Sequence, residues 1–279
     1  MTHRYLLTMS YIGSQFRGSQ KYWGCLRGTK DPQSIEGNLE IALGLVRKKY
    51  ISDLSFSSRT DAGVHAFNNT AHFDLETKSG EPFGDDSLRH MSWRLNKHFG
   101  KNNLGILIKD FRRVPDTFHA RFCALSRTYL YRLAFPKIAN KEVIQPIEEW
   151  QRLYLIWKPN FDIEKFKEAL TLFEGKHDFE TFRKAAPSRS KKTNNIRTVL
   201  SIEVFKANPL LTLSHHQHLD DFQFYDIKIK GRGFLHNQIR RMVGTAEAVA
   251  LDILTTRDVQ IMLQVPSKHS WNTSVSIAP

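Results

Sequence analysis

Cysteine is scarce in this chain: two residues in 279, Cys25 and Cys123, far apart and without a CxxC. That usage argues against a disulfide framework and a zinc ribbon, and it fits a reducing compartment. No apolar run approaches the roughly 20 residues of a membrane span. A strand-like run has begun by Tyr5, which predicts no signal or transit peptide ahead of it. Phosphate-binding loops are missing too. "GRGF" (231–234) has neither the Walker nor the Rossmann spacing and reads as a turn opening the last helix. That helix start still offers backbone N–H groups to a phosphate. The chain has 12 histidines but no nucleophile elbow, so nothing in the motifs supports a hydrolase. "HHQH" places His215, His216 and His218 close together, but a metal site needs a further well-spaced acid or thiol. The segment follows Asn-Pro and reads as a solvated hairpin loop, so no metal is expected. There is no solenoid repeat and no long low-complexity tract.

Acidic residues are also few. Asp and Glu number 28 against 41 Lys and Arg, a formal charge of +13 and a pI near 9.7. So basic a balance favours a polyanionic partner, most often nucleic acid. A hydrophobic content of 41% supplies a sizeable core, and the length suits one large domain or two intertwined halves.

Periodicity then orders the chain. "RYLLTMSYIG" reads as a strand ending at Gly13, and a loop rich in Gly, Gln and Lys follows. "SIEGNLEIALGLVRKKY" puts Ile35, Leu39, Leu43, Val46 and Tyr50 at helical spacing. "LSFSSR" leads into "TDAGVHA", and "TAHFDL" alternates like a strand. "DDSLRHMSWRLNKHF" predicts an amphipathic helix through Leu88, Met91, Leu95 and Phe99, its acidic start suited to the helix dipole. The second half repeats the order without the sequence: a strand in "TYLYRLAF"; a helix in "FDIEKFKEALTLFEG" with Asp162 as N-cap and Gly175 as C-cap; strands in "VLSIEVF" and "FQFYDIKI". A long helix over "FLHNQIRRMVGTAEAVALDIL" is buried through Leu235, Ile239, Met242, Val243, Ala246, Val249, Ala250 and Ile253. Strands and helices mixed in both halves predict an α+β fold, with helices packed on one side of a sheet.

Two stretches carry candidate chemistry. "FRKAAPSRSKKTNNIRT" (182–198) holds Arg183, Lys184, Arg189, Lys191, Lys192 and Arg197 and no acid. Its Pro, Ser and Asn make it a loop, either a solvated surface or an arm that grips a phosphate backbone. "SSRTDAGVHA" (57–66) sets Asp61 at the end of a strand, with Gly63 permitting a tight turn. Arg59, two residues earlier, shares its face if the strand period holds. On these residues alone an Asx-type turn explains Asp61 as well as a catalytic carboxylate does.

The stretch resembles the catalytic motif of the TruA family of tRNA pseudouridine synthases. "VPDTFHARF", "ALSRTYLYRL", "FEGKHDFETFR" and "FLHNQIRRMVG" resemble further landmarks of that family in the same order, and the likeness runs from about Tyr5 to Pro279. It is strongest to the animal pseudouridylate synthase-like branch. The resemblance implies a pseudouridine synthase fold: a mixed, mostly antiparallel sheet with helices packed on it, in two pseudo-symmetric halves, residues 1–120 and 121–279. It implies isomerisation of uridine to pseudouridine in RNA, with tRNA, and its anticodon stem-loop, as the expected substrate. That reaction breaks N1–C1′, turns the base and joins C5 to C1′. It involves neither redox change nor net hydrolysis, so no cofactor is expected.

The same resemblance distributes roles. Asp61 becomes the nucleophile, by attack on the sugar or by assisting elimination to a glycal. Arg240 matches the basic partner that keeps the aspartate ionised in a site that excludes water; Arg241 is the neighbour, about 100° away around the helix. Tyr129 matches the active-site tyrosine, able to stack on the base and move a proton, and Tyr131 shares its strand face. Arg59 and Arg121 are expected at the target uridine, which must leave its stack. The loop cations and Arg112 and Arg113 are expected on the RNA backbone. His65 and His119 read as structural. A homodimer inside the cell, in cytoplasm or mitochondrion, completes the expectation.

Three departures stand out. Ile12 and Ser19 replace the Asp of Tyr-Asp-Gly and the Trp of Gly-Trp-Gln, and the loop up to Asp31 is longer. The chain stops at "SIAP" where the family continues with a Gly-Leu-x-Leu strand, which predicts a fragment or isoform with an open sheet edge. Arg241 follows Arg240 where another residue is usual. The alternatives are a non-catalytic RNA-binding protein on the same fold and a synthase acting on messenger RNA.

Overall fold

A computed structural model describes residues 1–21, 31–46, 50–138, 146–158, 160–184, 194–211, 217–267, 269–271 and 275. The chain divides into two compact units, Met1–Ala124 and Leu125–Pro279. Residues just beyond 120 stay with the first unit because the preceding turn is tied down there. Arg4 Nη1 donates to the Phe118 carbonyl (2.9 Å), and the Ala120 N–H donates to His72 Nδ1 (3.1 Å).

The first unit runs β1 (Thr2–Tyr11), α1 (Ile35–Val46), β2 (Tyr50–Phe56), β3 (Ala66–Glu76), α2 (Asp85–Lys101) and β4 (Ile106–Arg113). Its antiparallel sheet has the order β2-β3-β1-β4. Alternation along β1 sends Tyr5, Leu7, Met9 and Tyr11 to one face, where they meet Leu39 and Leu43 of α1 and Leu88, Met91, Leu95 and Phe99 of α2. Each of these large side chains contributes roughly 1.5–3 kcal/mol of burial. The α2 core positions are those its periodicity predicts. The α1 pattern overran: the helix is described to Val46, and Tyr50 begins β2. Strand β4 was not anticipated. It alternates Ile106 and Ile108 inward with Leu107 and Lys109 outward, a pattern too short to separate from the preceding helix.

The second unit runs β5 (Arg127–Pro136), β6 (Tyr154–Leu155), α3 (Ile163–Thr171), β7 (Gly175–Asp178), β8 (Ile196–Ala207), β9 (Phe222–Gly231), α4 (Gln238–Ala250) and α5 (Thr256–Gln264). Its sheet has the order β6-β5-β9-β8-β7 and is antiparallel except for the short β5–β6 pair. The core joins Leu133, Val199, Ile227 and Ile229 of the sheet to Phe166, Leu170, Met242, Val243, Ala246 and Val249 of α3 and α4. Strand order makes the halves comparable. β2-β3-β1-β4 in one corresponds to β8-β9-β5-β6 in the other, with two-residue β6 where the first unit has eight-residue β4.

Asp162 caps α3 as expected, accepting from the N–H groups of Glu164 and Lys165 (2.9 and 3.1 Å). Gly175 is not its C-cap. The helix ends at Thr171, and Gly175 opens β7 at φ +99°. The last long helix is also shorter than predicted. Asn237 takes φ +62°, so α4 begins at Gln238, while Leu235 and Ile239 still pack on the core. Ile253, expected buried, is 52% exposed, because α4 ends at Ala250. Helix α5 was missed, although its capping box, Thr255 with Asp258, is written in the sequence. Among the described residues no helix is long and apolar enough to cross a membrane. His215 and His216 of the "HHQH" loop, and the terminal "SIAP" (276–279), lie outside the described residues.

Candidate active site

The Asp61 loop joins β2 to β3 and is built against the segment that follows β1. Gly13 must be glycine, since a Cβ there would sit 1.9 Å from the Val64 carbonyl oxygen. Gly18 takes φ +127° and passes close to the Thr60 carbonyl. Ser19 is fully buried. Its N–H donates to the Thr60 carbonyl (3.0 Å), and its Oγ accepts from the Thr60 N–H (2.9 Å). The Tyr11 hydroxyl meets Thr60 Oγ1 at 2.8 Å. Asn69 Nδ2 reaches the Tyr11 hydroxyl (3.0 Å) and the Ser58 carbonyl (2.9 Å). The turn closes with the Val64 N–H on the Asp61 carbonyl (3.2 Å), and Gly63 follows at φ +80°.

Thr60 and Val64, on either side of Asp61, are therefore held through the main chain or a polar side chain, and Asp61 lies exposed on the turn between them. The water-excluding surroundings expected of Asp61 are not provided by the loop itself. The period-2 argument for Arg59 and Asp61 also fails. β2 ends at Phe56, and residues 57–65 are bends and turns. Ser19, a departure from the family pattern, ties the segment after β1 to the loop through its hydroxyl.

Two of the expected RNA contacts do come together. Burial pushes the Arg59 guanidinium below its usual range, and the nearby charge of Arg121 pushes the same way, while Glu36 opposes them. Arg121 is set by the "HARF" turn, where His119 Nδ1 accepts from the N–H groups of Arg121 (3.2 Å) and Phe122 (3.4 Å). His119 and His65 are thus structural as read; His65 Nδ1 accepts from the Gly13 N–H (3.2 Å). Phe122 is 77% exposed beside Arg121. Only its exposure, which sequence does not show, could have singled it out.

In the second unit, β5 separates the two tyrosines. Tyr131 packs on the core and meets Tyr154 edge-on (6.2 Å). Burial drives its phenol well above the usual range, Tyr154 and Glu247 raise it further, and Arg240 opposes them. Tyr129 instead meets Phe234 edge-on at 5.4 Å, outside the core. The arginines separate likewise. Arg241 Nη1 donates to the Thr181 carbonyl (3.0 Å), and its guanidinium lies 4.6 Å from the Trp271 ring. Burial lowers its pKa. Arg241 is thus an anchor for α4. Arg240, whose charge acts on the Tyr131 phenol, lies two turns before buried Glu247, which accepts from the Tyr154 hydroxyl (2.7 Å).

At the base of the basic loop, the Lys184 N–H donates to the His236 carbonyl (2.9 Å). Arg183 Nε is buried with no hydrogen-bond partner among the described residues, and the Lys184 side chain is exposed. Arg189, Lys191 and Lys192 lie outside the described residues. No group of three or more His, Cys, Asp or Glu is placed to hold a metal among the described residues.

Comparison with known proteins closes the case. A sequence model described as tRNA pseudouridine synthase matches residues 169–278. The human protein tRNA pseudouridine synthase-like 1 is 33% identical over 94% of this chain and 82% of its own length. The Xenopus laevis protein of that name is 32% identical over 94% and 83%. The Bacillus cereus tRNA pseudouridine synthase A 2 is 31% identical over 97% and 94%. With its antiparallel sheets, its locked aspartate loop and relatives that match it nearly end to end, the chain belongs to the TruA family of tRNA pseudouridine synthases.

Proposed function

We propose that this protein converts uridine to pseudouridine in the anticodon stem-loop of tRNA, with Asp61 as the group that attacks or stabilises the detached sugar. The observation that carries this reading is the construction of the Asp61 loop. Tyr11, Gly13, Gly18, Ser19 and Asn69 all hold the chain around one exposed carboxylate, more support than a surface turn needs. The glycosidic N1–C1′ bond breaks, the uracil turns, and C5 bonds to C1′. The proton leaving C5 is balanced by one gained at N1. In the free chain Asp61 is open to water, so the flipped uridine itself closes the site when it leaves its stack. Arg59 and Arg121 supply the positive charge that draws the nucleotide to the loop. Tyr129, not committed to the core, is the stacking and proton-handling tyrosine. Arg240, rather than the anchored Arg241, is the basic group of the reaction. Arg183, Lys184, Arg189, Lys191 and Lys192 hold the RNA backbone, and the enzyme works as a homodimer inside the cell.

The test is pseudouridine mapping in unmodified tRNA treated with wild type and with Asp61→Ala. Wild type should modify a uridine of the anticodon stem-loop. The variant should bind the same tRNA and be slower by at least about a thousandfold. Equal modification by both removes Asp61 from the chemistry. Modification confined to messenger RNA in a transcriptome-wide map replaces the substrate.

A further inference from the structure

Helix α2 turns one face to the core and the other to solvent, and the solvent face is unusual. After Asp85 and Asp86 in its first turn, α2 carries Arg89, Arg94, Lys97 and Lys101 with His90 and His98, and no further acid. In their midst Trp93 is 54% exposed. Its indole lies 5.6 Å from the His90 ring, stacked, and 4.6 Å from Lys97 Nζ. Arg94 Nη2 reaches the Leu45 carbonyl at the end of α1 (3.4 Å), and Leu45 is itself 62% exposed. Two hollows open on this face. Val46 and Arg94 line both, His90 lines one, and Trp93 and Lys97 line the other. An exposed indole flanked by cations is the arrangement by which proteins hold a nucleic-acid strand, phosphates on the cations and a base on the ring.

This surface is not part of the Asp61 loop. α1 begins beside that loop: the Ile35 N–H donates to the Gly18 carbonyl (3.2 Å) and the Glu36 N–H to the Ser19 carbonyl (3.0 Å). Twelve residues of helix carry the chain from there to Val46, roughly 16 Å at 1.5 Å per residue. The catalytic turn and the basic, aromatic face thus sit near opposite ends of α1.

We infer that the outer face of α2, centred on Trp93, Arg94 and Lys97, is a second RNA-docking surface that holds a part of the substrate remote from the target uridine, with an unpaired base against the Trp93 indole. The inference rests on the proposed RNA substrate, and charge names the occupant, because a polyanion is what so cationic a face complements. Docking here raises affinity and takes no part in chemistry, so its loss shows in binding and leaves the chemical step unchanged.

The experiment measures equilibrium binding of an unmodified tRNA transcript across a salt series, together with the single-turnover rate at saturating RNA. Arg94→Glu/Lys97→Glu should weaken binding by at least about tenfold near 0.1 M salt and flatten the plot of log affinity against log salt by about 1.5. The single-turnover rate should stay at the wild-type value. Trp93→Ala should lose roughly tenfold in affinity and Trp93→Phe much less, since a phenyl ring still stacks. Lys78→Glu/Lys206→Glu is the control for net charge and should have a far smaller effect. Affinity and salt slope unchanged in the α2 variants, or lowered equally in the control, overturn the inference. A fall in the saturated single-turnover rate overturns it too, because the face would then serve the chemistry. The binding arm stands even if wild type forms no pseudouridine, so failure of the proposed reaction and failure of this surface are told apart.

Discussion

The Asp61 loop of the first unit and the α4–β5 face of the second hold candidate catalytic residues by different means. Around Asp61 the work is done by backbone groups and small residues far away in sequence, with Gly13 against Val64 and Ser19 against Thr60. Around Arg240 it is done by strand register, helix face and aromatic packing: Tyr131 on Tyr154, Tyr154 on Glu247, Arg241 on Trp271. A nucleophile presented on a turn needs its main chain fixed, since no regular element does so. A tyrosine on a strand and an arginine on a helix inherit their placement from the element, and what distinguishes Tyr129 from Tyr131 on their shared face is the ring each meets, Phe234 or Tyr154.

The contrast predicts where each unit breaks. The largest effect belongs to Gly13→Ala. The added methyl falls 1.9 Å from the Val64 oxygen, and neither backbone can yield without moving the Asp61 turn. The variant should lose about 3 kcal/mol of stability in urea unfolding, and pseudouridine formation should fall with it. Wild-type stability would mean that the two segments are not in close approach.

In the second unit, Glu247→Ala removes the buried carboxylate that accepts from the half-buried Tyr154 and should cost about 2 kcal/mol. Tyr154→Phe in that background should then cost less than in wild type, since the partner is already gone. Additive costs in the four-member cycle would show that the 2.7 Å contact carries no coupling.

Titration sharpens the same comparison. Burial, helped by Arg4 and His119, lowers the His72 pKa in the first unit. A depressed histidine adds stability above its unfolded value of about 6.5, and that stability is lost as pH falls through the folded value. Tyr131 in the second unit is raised. Its contribution is intact below about pH 10 and is lost as pH rises above it. Hydrogen exchange should therefore show β3 losing protection first in acid and β5 first in alkali, each with a slope no steeper than about 1.4 kcal/mol per pH unit. His72→Gln should flatten the acid limb, and Tyr131→Phe the alkaline one. Both limbs appearing together in both strands would mean that the units unfold as one.

The two regions also differed in how legible they were. The apolar faces of α2 and α4 follow from period, because a regular element repeats its contacts at fixed spacing, whereas Tyr129 and Arg240 are singled out only by the family resemblance, since period alone leaves Tyr131 and Arg241 beside them. The support of Asp61 follows from neither, because Tyr11, Gly13, Gly18 and Ser19 lie 40 to 50 residues before it and only the chain's path brings them together. Ser19 departs from the family pattern, and nothing in the sequence says that its hydroxyl bonds Thr60. The misread ends have local causes: Asn237 in the left-handed region cuts α4 short although Leu235 keeps helical spacing, and Tyr50 fits a helix period while starting a strand. The basic, aromatic face of α2 is illegible for the opposite reason. Its periodicity was read for the core side, and nothing in a pattern says how exposed Trp93 is on the other.

Ser19→Ala should have the smallest effect. It removes the Oγ that accepts from the Thr60 N–H at 2.9 Å but leaves the Ser19 N–H on the Thr60 carbonyl at 3.0 Å. The longer bond from the Ser19 Oγ to the Thr60 carbonyl (3.4 Å) goes as well, but the backbone bond stays, and the expected cost is about 1 kcal/mol, with a few-fold fall in the single-turnover rate as the turn loosens. Gly13→Ala displaces backbone, whereas Ser19→Ala deletes only side-chain bonds within an unchanged path. If Ser19→Ala cost as much as Gly13→Ala, the loop would depend on its hydroxyl, and the backbone approach at Gly13 would be a consequence of that bond rather than the feature that positions Asp61.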